Sequence, residues 1–428
     1  MKKIKIFGSS DCYGLTDELS FTLRMKVELR DSIDEKCLKE AVAQLEERFK
    51  YLKVSLKKNI KEFYYTENNK PWVVVHSDVA IPLNGTESND QLIAFSYYEN
   101  SIYVNVWHGQ LDGTGLYALV EALVYFYCKR RYDEDISFPN QAHYDGDILD
   151  EEYLDAYLEY YKRCKAEKRR FYDAPPSQKT SSNVMKLNKM GLVKSGNRSS
   201  FKLRIPQKDL MKYCSSADGS PVTAVALMVA DAIYRIHGDS DRMISIGIPV
   251  NLRPAMGFKV TRSSTFSQIY IQYNDKIRTK DFETQGTICR GTVIRYSDER
   301  LIQKNTMKYC KMLRLLTLIP LTCVKQFFAG IVADQMKRIQ TASVTYVGRA
   351  QYGDMAKYIT GFYTDVDAYG LGFQAVLAAM DDAFYITIDQ DWDNKVYIES
   401  FLKVLVERGL SYEITYDGVN DIPVMRNV

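Results

Sequence analysis

The run Tyr103-Val-Asn-Val-Trp-His-Gly-Gln-Leu-Asp-Gly-Thr-Gly115 constrains the fold more than any other part of the chain. Residues 92–98 and 101–107 are rich in β-branched and aromatic side chains. Glu99-Asn100 between them has the length and residue type of a tight hairpin turn. Beyond the run, Leu116, Leu119, Val120, Leu123, Val124 and Tyr127 recur at helical spacing. His108 therefore stands where a strand leaves its sheet. Gly113 and Gly115 then permit a close turn that a Cβ would resist. A histidine at a strand exit, with Asp112 four residues on, marks a candidate active site.

Three further segments have a readable order. Phe21, Leu23, Met25, Val27 and Leu29 alternate as a strand, and Asp34 is placed to cap a helix whose Leu38, Ala41, Val42, Leu45 and Phe49 share one face. Ser220-Pro opens a helix that runs to His237-Gly238. The strand 243–250 and Asn251-Leu-Arg-Pro254 follow. After Ser343-Val-Thr-Tyr-Val-Gly-Arg349, residues 373–410 read as strand, strand, helix and a terminating Gly409.

At 428 residues the chain is too long for one ordinary core and suits two domains of about 200 residues each. The boundary is set by two composition shifts. Residues 151–172 read as one charged, tyrosine-rich helix, and Asp173-Ala-Pro-Pro-Ser-Gln-Lys-Thr-Ser-Ser-Asn183 is linker-like. The expected organisation is 1–172, a linker over 173–200, and 201–428, where strand alternation restarts at Phe201.

A net charge of +3 argues against a general nucleic-acid binder, which needs a strong basic excess. The eight cysteines contain no Cys-x-x-Cys pair, so neither a zinc nor a disulfide framework is visible. His76, His143 and His237 each stand without an acid or cysteine at ligand spacing, and no metal site is expected. The N-terminus lacks an apolar core of signal length, with Asp11 and Asp17 interrupting it, so a cytoplasmic protein is expected. The longest apolar stretch, 313–333, contains Arg314, Pro320, Lys325 and Gln326. It reads as a buried or amphipathic helix after Pro320 and not as a transmembrane span.

Together these segments resemble the CoA-dependent acyltransferase superfamily, which includes chloramphenicol acetyltransferase, the plant BAHD acyltransferases and the condensation domains of nonribosomal peptide synthetases. The likeness is nearest to bacterial alcohol acetyltransferase-like proteins. His108-x-x-x-Asp112-Gly113 matches the superfamily's His-x-x-x-Asp-Gly motif, and Val250-Asn-Leu-Arg253 matches the Val-Asn-x-Arg segment. Residues 343–349 are similar to a Ser-Asn-x-Gly segment in which Tyr346 replaces the usual Asn.

The resemblance implies an α/β fold of two chloramphenicol acetyltransferase-like domains, each a two-layer α+β sandwich, with the active site at their interface. It implies that His108 is the general base in transfer of an acyl group from a thioester to a hydroxyl or amine. Asp112, Gly113 and Arg253 would support the site through an Asp112–Arg253 ion pair. Trp107, Thr265, Ser267 and Tyr346 would line a substrate tunnel. The donor would be acyl-CoA, or a phosphopantetheinyl thioester on a separate acyl carrier protein, with no permanently bound cofactor. The basic runs 129–131 and 162–170 are its candidate phosphate or carrier contacts.

One chain supplies both sides of the site, so a monomer is expected. Peptide-forming condensation domains usually have two successive histidines, and Trp107 in place of the first shifts the expectation toward a small alcohol, amine or sugar acceptor. A non-catalytic module that binds a carrier protein or acyl ligand is the alternative. A thioesterase or lactonising enzyme on the same scaffold is a third reading.

Overall fold

Among the described residues, alternation and turn chemistry place fifteen strands, and their pairing builds three sheets. The computed structural model describes residues 3–7, 11–16, 19–133, 136–137, 146–193, 196–238, 240–367 and 370–427. In the N-terminal half are β1 (Lys3–Lys5), β2 (Thr22–Leu29), β3 (Val54–Lys58), β4 (Phe63–Glu67), β5 (Val74–His76), β6 (Ile93–Tyr98) and β7 (Ser101–Trp107). The later part carries β8 (Ser199–Pro206), β9 (Ile244–Asn251), β10 (Phe266–Tyr273) and β11 (Ala342–Ala350). It also carries β12 (Ile359–Val366), β13 (Phe373–Met380), β14 (Ala383–Gln390) and β15 (Glu413–Val419).

The sheets run β12-β2-β7-β6-β5, β10-β9-β11-β13-β14-β8-β15, and a small β1-β4-β3. Helix Glu35–Arg48 buries Leu38, Ala41, Val42 and Leu45 in one core with Leu116, Leu119, Val120 and Leu123 of helix Gly113–Tyr132, against Met25, Val27, Val104 and Val106. Asp34 caps the first of these helices by accepting from the Cys37 amide at 2.8 Å. The second core packs helix Pro221–His237, capped by Ser220, and helix Val396–Glu407 on the seven-stranded sheet.

One wall separates the two cores. Along β13, Phe373, Ala375, Leu377 and Ala379 point into the second core, whereas Val376, Ala378 and Met380 point into the first. The neighbouring β14 does the same, with Phe384, Ile386 and Ile388 on one side and Ala383 and Tyr385 on the other. Every residue of both strands is buried, because successive side chains leave a strand on opposite faces and here both faces are covered. The architecture is therefore two α/β layered halves sharing a sheet.

Three segments differ from the sequence reading. The 201–428 stretch does not stay in its own half: β12 crosses over and pairs antiparallel with β2, setting Phe362 opposite Val27. Periodicity identifies a strand but not the edge it joins. The charged segment 151–172 is not one helix but two, Asp150–Tyr153 and Ala156–Ala166, broken where Asp155 caps the second by accepting from the Leu158 amide. Its Glu152 is buried against Arg48 and is not solvated. The 173–200 stretch is docked: Met185, Leu187 and Val193 enter the second core, and the Gln178 side chain brackets the Tyr270 backbone with bonds of 2.6 and 2.9 Å.

Candidate active site

The hairpin β6–β7 delivers His108 one residue past the strand end, where its amide donates to the Phe21 carbonyl at 2.8 Å. The imidazole is half-buried. It faces the other half of the molecule, its ring centre 5.7 Å from that of Phe266 at the start of β10. Trp107, the preceding residue, points the opposite way, as strand alternation requires. Its indole is fully buried among Cys12, Val54, Leu56, Phe63 and Leu92, edge-on to Tyr65. Trp107 is thus a core residue and not a tunnel wall. Its ring also lies directly under Gly109, where a Cβ would come within 2.3 Å of it.

Asp112 is turned toward the 251–265 segment. It caps helix Gly113–Tyr132 through the Gly115 amide (3.0 Å) and holds the Arg253 guanidinium in a two-pronged ion pair, Nη1 to Oδ2 at 2.8 Å and Nη2 to Oδ1 at 2.7 Å. The Thr265 amide donates to the same carboxylate at 3.0 Å. Arg253 spends its remaining donors on the carbonyls of Thr261 and Ser263, both at 2.8 Å. Asn251 completes the set, its Oδ1 accepting from the Arg253 amide at 3.0 Å and from Nη1 at 3.3 Å. A buried charge pair is tolerable only when its remaining hydrogen-bonding capacity is also filled, and here the backbone of 261–265 fills it.

Gly113 and Gly115 have ordinary backbone angles, so the reason they are glycine is contact and not turn geometry. A Cβ on Gly113 would lie 2.8 Å from Val347 of β11, and one on Gly115 would lie 2.3 Å from the Arg262 carbonyl oxygen. The three sequence signatures thus converge on this loop. Residues 251–265 lie against Gly115 and Asp112, and the bulge of β11 at Tyr346–Gly348 lies against Gly113.

The remaining tunnel candidates fall apart. The Thr265 hydroxyl is buried and donates to the Ser263 carbonyl at 3.3 Å, so its contribution is through its backbone. Ser267 is exposed on β10, opposite Val250. Tyr346 packs on Phe384 against the second core, and burial raises its phenol pKa. His237 bonds the Tyr397 hydroxyl at 2.8 Å and His76 stacks on Tyr97, whereas His143 and Asp17 lie outside the described residues. The cluster 129–131 sits at the far end of the helix that Asp112 caps, roughly 25 Å away. In the run 162–170, Lys162 and Arg169 pair with Glu159 and Glu167, and Arg163 donates to the Met256 carbonyl.

A cavity of about 1510 Å³ opens beside the loop, walled by helix Glu35–Arg48, β1, β3 and β4 and by Asp155. It reaches the site through Gly109, Gln110, Ser263 and Ser264, but His108 itself does not line it. Glu152, Arg262 and Tyr51 also line it. Glu152 bonds Arg48 twice, at 2.9 and 3.0 Å, and accepts from the Tyr51 hydroxyl at 2.7 Å. Burial disfavours the Glu152 carboxylate, but those bonds outweigh it and hold its pKa below the ordinary value. Sequence reasoning missed Asn251 as a ligand of Arg253 and Glu152 as a buried charge. The first lies inside a motif already singled out; the second gives no local signal, because its partner Arg48 is 104 residues away.

No family model matches the chain, and no curated protein matches it. Solved structures do. F. graminearum TRI101 complexed with coenzyme A and T-2 mycotoxin superposes with a TM-score of 0.60 at 12% identity, over 96% of this chain and 100% of that one. The epimerization domain from the third module of tyrocidine synthetase B gives 0.58 at 12% identity, over 95% and 96%. Polyketide synthase associated protein 5 from Mycobacterium tuberculosis gives 0.58 at 12% identity, over 94% and 97%. The chain has the fold of these proteins along nearly its whole length, the fold expected from the resemblance to the CoA-dependent acyltransferase superfamily.

Proposed function

We propose that the chain transfers an acyl group from a thioester, either acyl-CoA or an acyl carrier protein, to a hydroxyl or amine acceptor, with His108 as general base. The observation that carries this reading is the half-buried imidazole of His108. It stands where the two halves meet, on a loop that Arg253 of the second half clamps through Asp112. The neutral imidazole takes the acceptor's proton as its oxygen or nitrogen bonds to the thioester carbonyl carbon. The C–S bond then breaks, and the imidazolium returns that proton to the leaving thiolate. The cavity beside Gly109 and Gln110 is large enough for an extended ligand. The fold likeness to a coenzyme A complex supports a thioester donor.

Because Arg253, Gly115 and Thr265 all bond Asp112, its role in this reading is to hold the loop that carries His108. The same clamp keeps one chain's two halves together around the site, which favours a monomer. With its ring in the core, Trp107 carries no weight in choosing the acceptor. Mass spectrometry of reactions containing a panel of acyl-CoA donors with mixed alcohols and amines tests the reading. Acyl-acceptor products are expected. Free acid with no acceptor product would replace transfer by hydrolysis.

A further inference from the structure

Residues 308–338 carry Lys308, Lys311, Arg314, Lys325, Lys337 and Arg338 against a single acid, Asp334, around an apolar centre. Such a segment in a soluble core would turn its apolar side chains inward. This one is inverted. Helix Thr322–Arg338 buries Thr322 and Lys325 and exposes Phe327 (67%), Phe328 and Ile331. The polar side chains are drawn in because they pin the helix to the first half. The Thr322 amide and hydroxyl donate to the carbonyls of Ile60 and Asn59 at 2.7 and 2.8 Å, and Lys325 donates to that of Lys61 at 2.7 Å.

The exposed apolar surface continues on both sides of this joint. Leu318 (64%) and Leu321 precede the helix, and Ile60 (77%) projects from the β3–β4 turn to which Thr322 is bonded. Exposed Lys58, Lys61, Lys311 and Arg314 flank these residues. The two phenyl rings rest on each other, 5.8 Å apart, with no other ring contact among the described residues. An isolated exposed leucine needs no explanation, but a contiguous apolar ridge with a basic border is an interaction surface.

We propose that this ridge docks the protein peripherally on an anionic lipid bilayer. Ile60, Leu318, Leu321, Phe327, Phe328 and Ile331 would enter the headgroup–acyl boundary, and the flanking lysines and Arg314 would lie against lipid phosphates. The occupant follows from the charge pattern: apolar side chains with a border that is basic apart from Asp334 fit an anionic interface. No single helix among the described residues is long and apolar enough to cross a membrane. The inference goes beyond acyl transfer and does not depend on it.

The test is flotation of the full chain with vesicles of phosphatidylcholine, or of phosphatidylcholine and phosphatidylglycerol at 3:1, in 0.1 and 0.5 M NaCl. Wild type should float at least tenfold more with the anionic vesicles, and the higher salt should weaken it. Leu318→Asp/Phe327→Asp should lose at least tenfold of that binding with an unchanged Tm. Should that variant unfold, Lys58→Glu/Arg314→Glu keeps the apolar ridge and should abolish the preference for anionic lipid. The proposal is overturned if wild type floats with neither vesicle, or if the variants float as wild type does. It is also overturned if light scattering shows a wild-type dimer that Leu318→Asp/Phe327→Asp converts to monomer, which would make the ridge a self-interface.

Discussion

Four donors converge on Asp112: two guanidinium nitrogens of Arg253 and the amides of Gly115 and Thr265. Removing the arginine leaves a buried carboxylate without its cation. Arg253→Ala should therefore cost about 3–5 kcal/mol in denaturant unfolding. Arg253→Lys should restore less than half of that, since an ammonium cannot span both carboxylate oxygens and also reach the Thr261 and Ser263 carbonyls. Wild-type stability in either variant would contradict the clamp. At this scale the Asp112–Arg253 pairing was readable, because both residues sit in short motifs. Trp107, Ser267 and Tyr346 were not readable, because a side chain's direction depends on what packs against it from distant segments.

Element identity was legible wherever an apolar period and a cap coincided, as at Asp34 and Ser220. Partner choice was not. Strand β12 gives no sign that it will leave its half to pair with β2, since that choice is made by long-range packing. Its end meets β14 at a buried polar cluster. Asp365 accepts from Ser200 and Lys202, each at 2.8 Å, and Asp389 accepts from the Val366 amide at 2.8 Å. Burial, and then the neighbouring Asp365, push the Asp389 carboxyl well above the ordinary carboxylate range.

A carboxyl whose folded pKa is raised binds more protons folded than unfolded. It therefore lowers stability as pH rises from its unfolded pKa toward its folded one, by at most about 1.4 kcal/mol per pH unit. Asp389→Asn removes that ionisation while keeping an acceptor for Val366. It should raise Tm at pH 8, with the gain shrinking toward pH 4.5, in thermal unfolding monitored by circular dichroism. An equal change at both pH values would contradict the assignment.

At the scale of the molecule, β13 and β14 form a common wall, so neither half has a complete core without the other. The candidate site sits at the same junction, built from a loop of the first half, the 251–265 segment of the second, and the β11 bulge that Val347 presses onto Gly113. Composition shifts along the chain do not reveal this shared wall, because they report position in the sequence and not which cores the two faces of a strand enter.

The proposed role of the His108 imidazole is to move the acceptor's proton. It is tested most directly by acceptor-dependent thiol release from acyl-CoA, wild type beside His108→Ala, with Tm measured on both. A fall in kcat/KM of about 10²- to 10⁴-fold with Tm unchanged is expected. Undiminished turnover in a folded His108→Ala protein would contradict it.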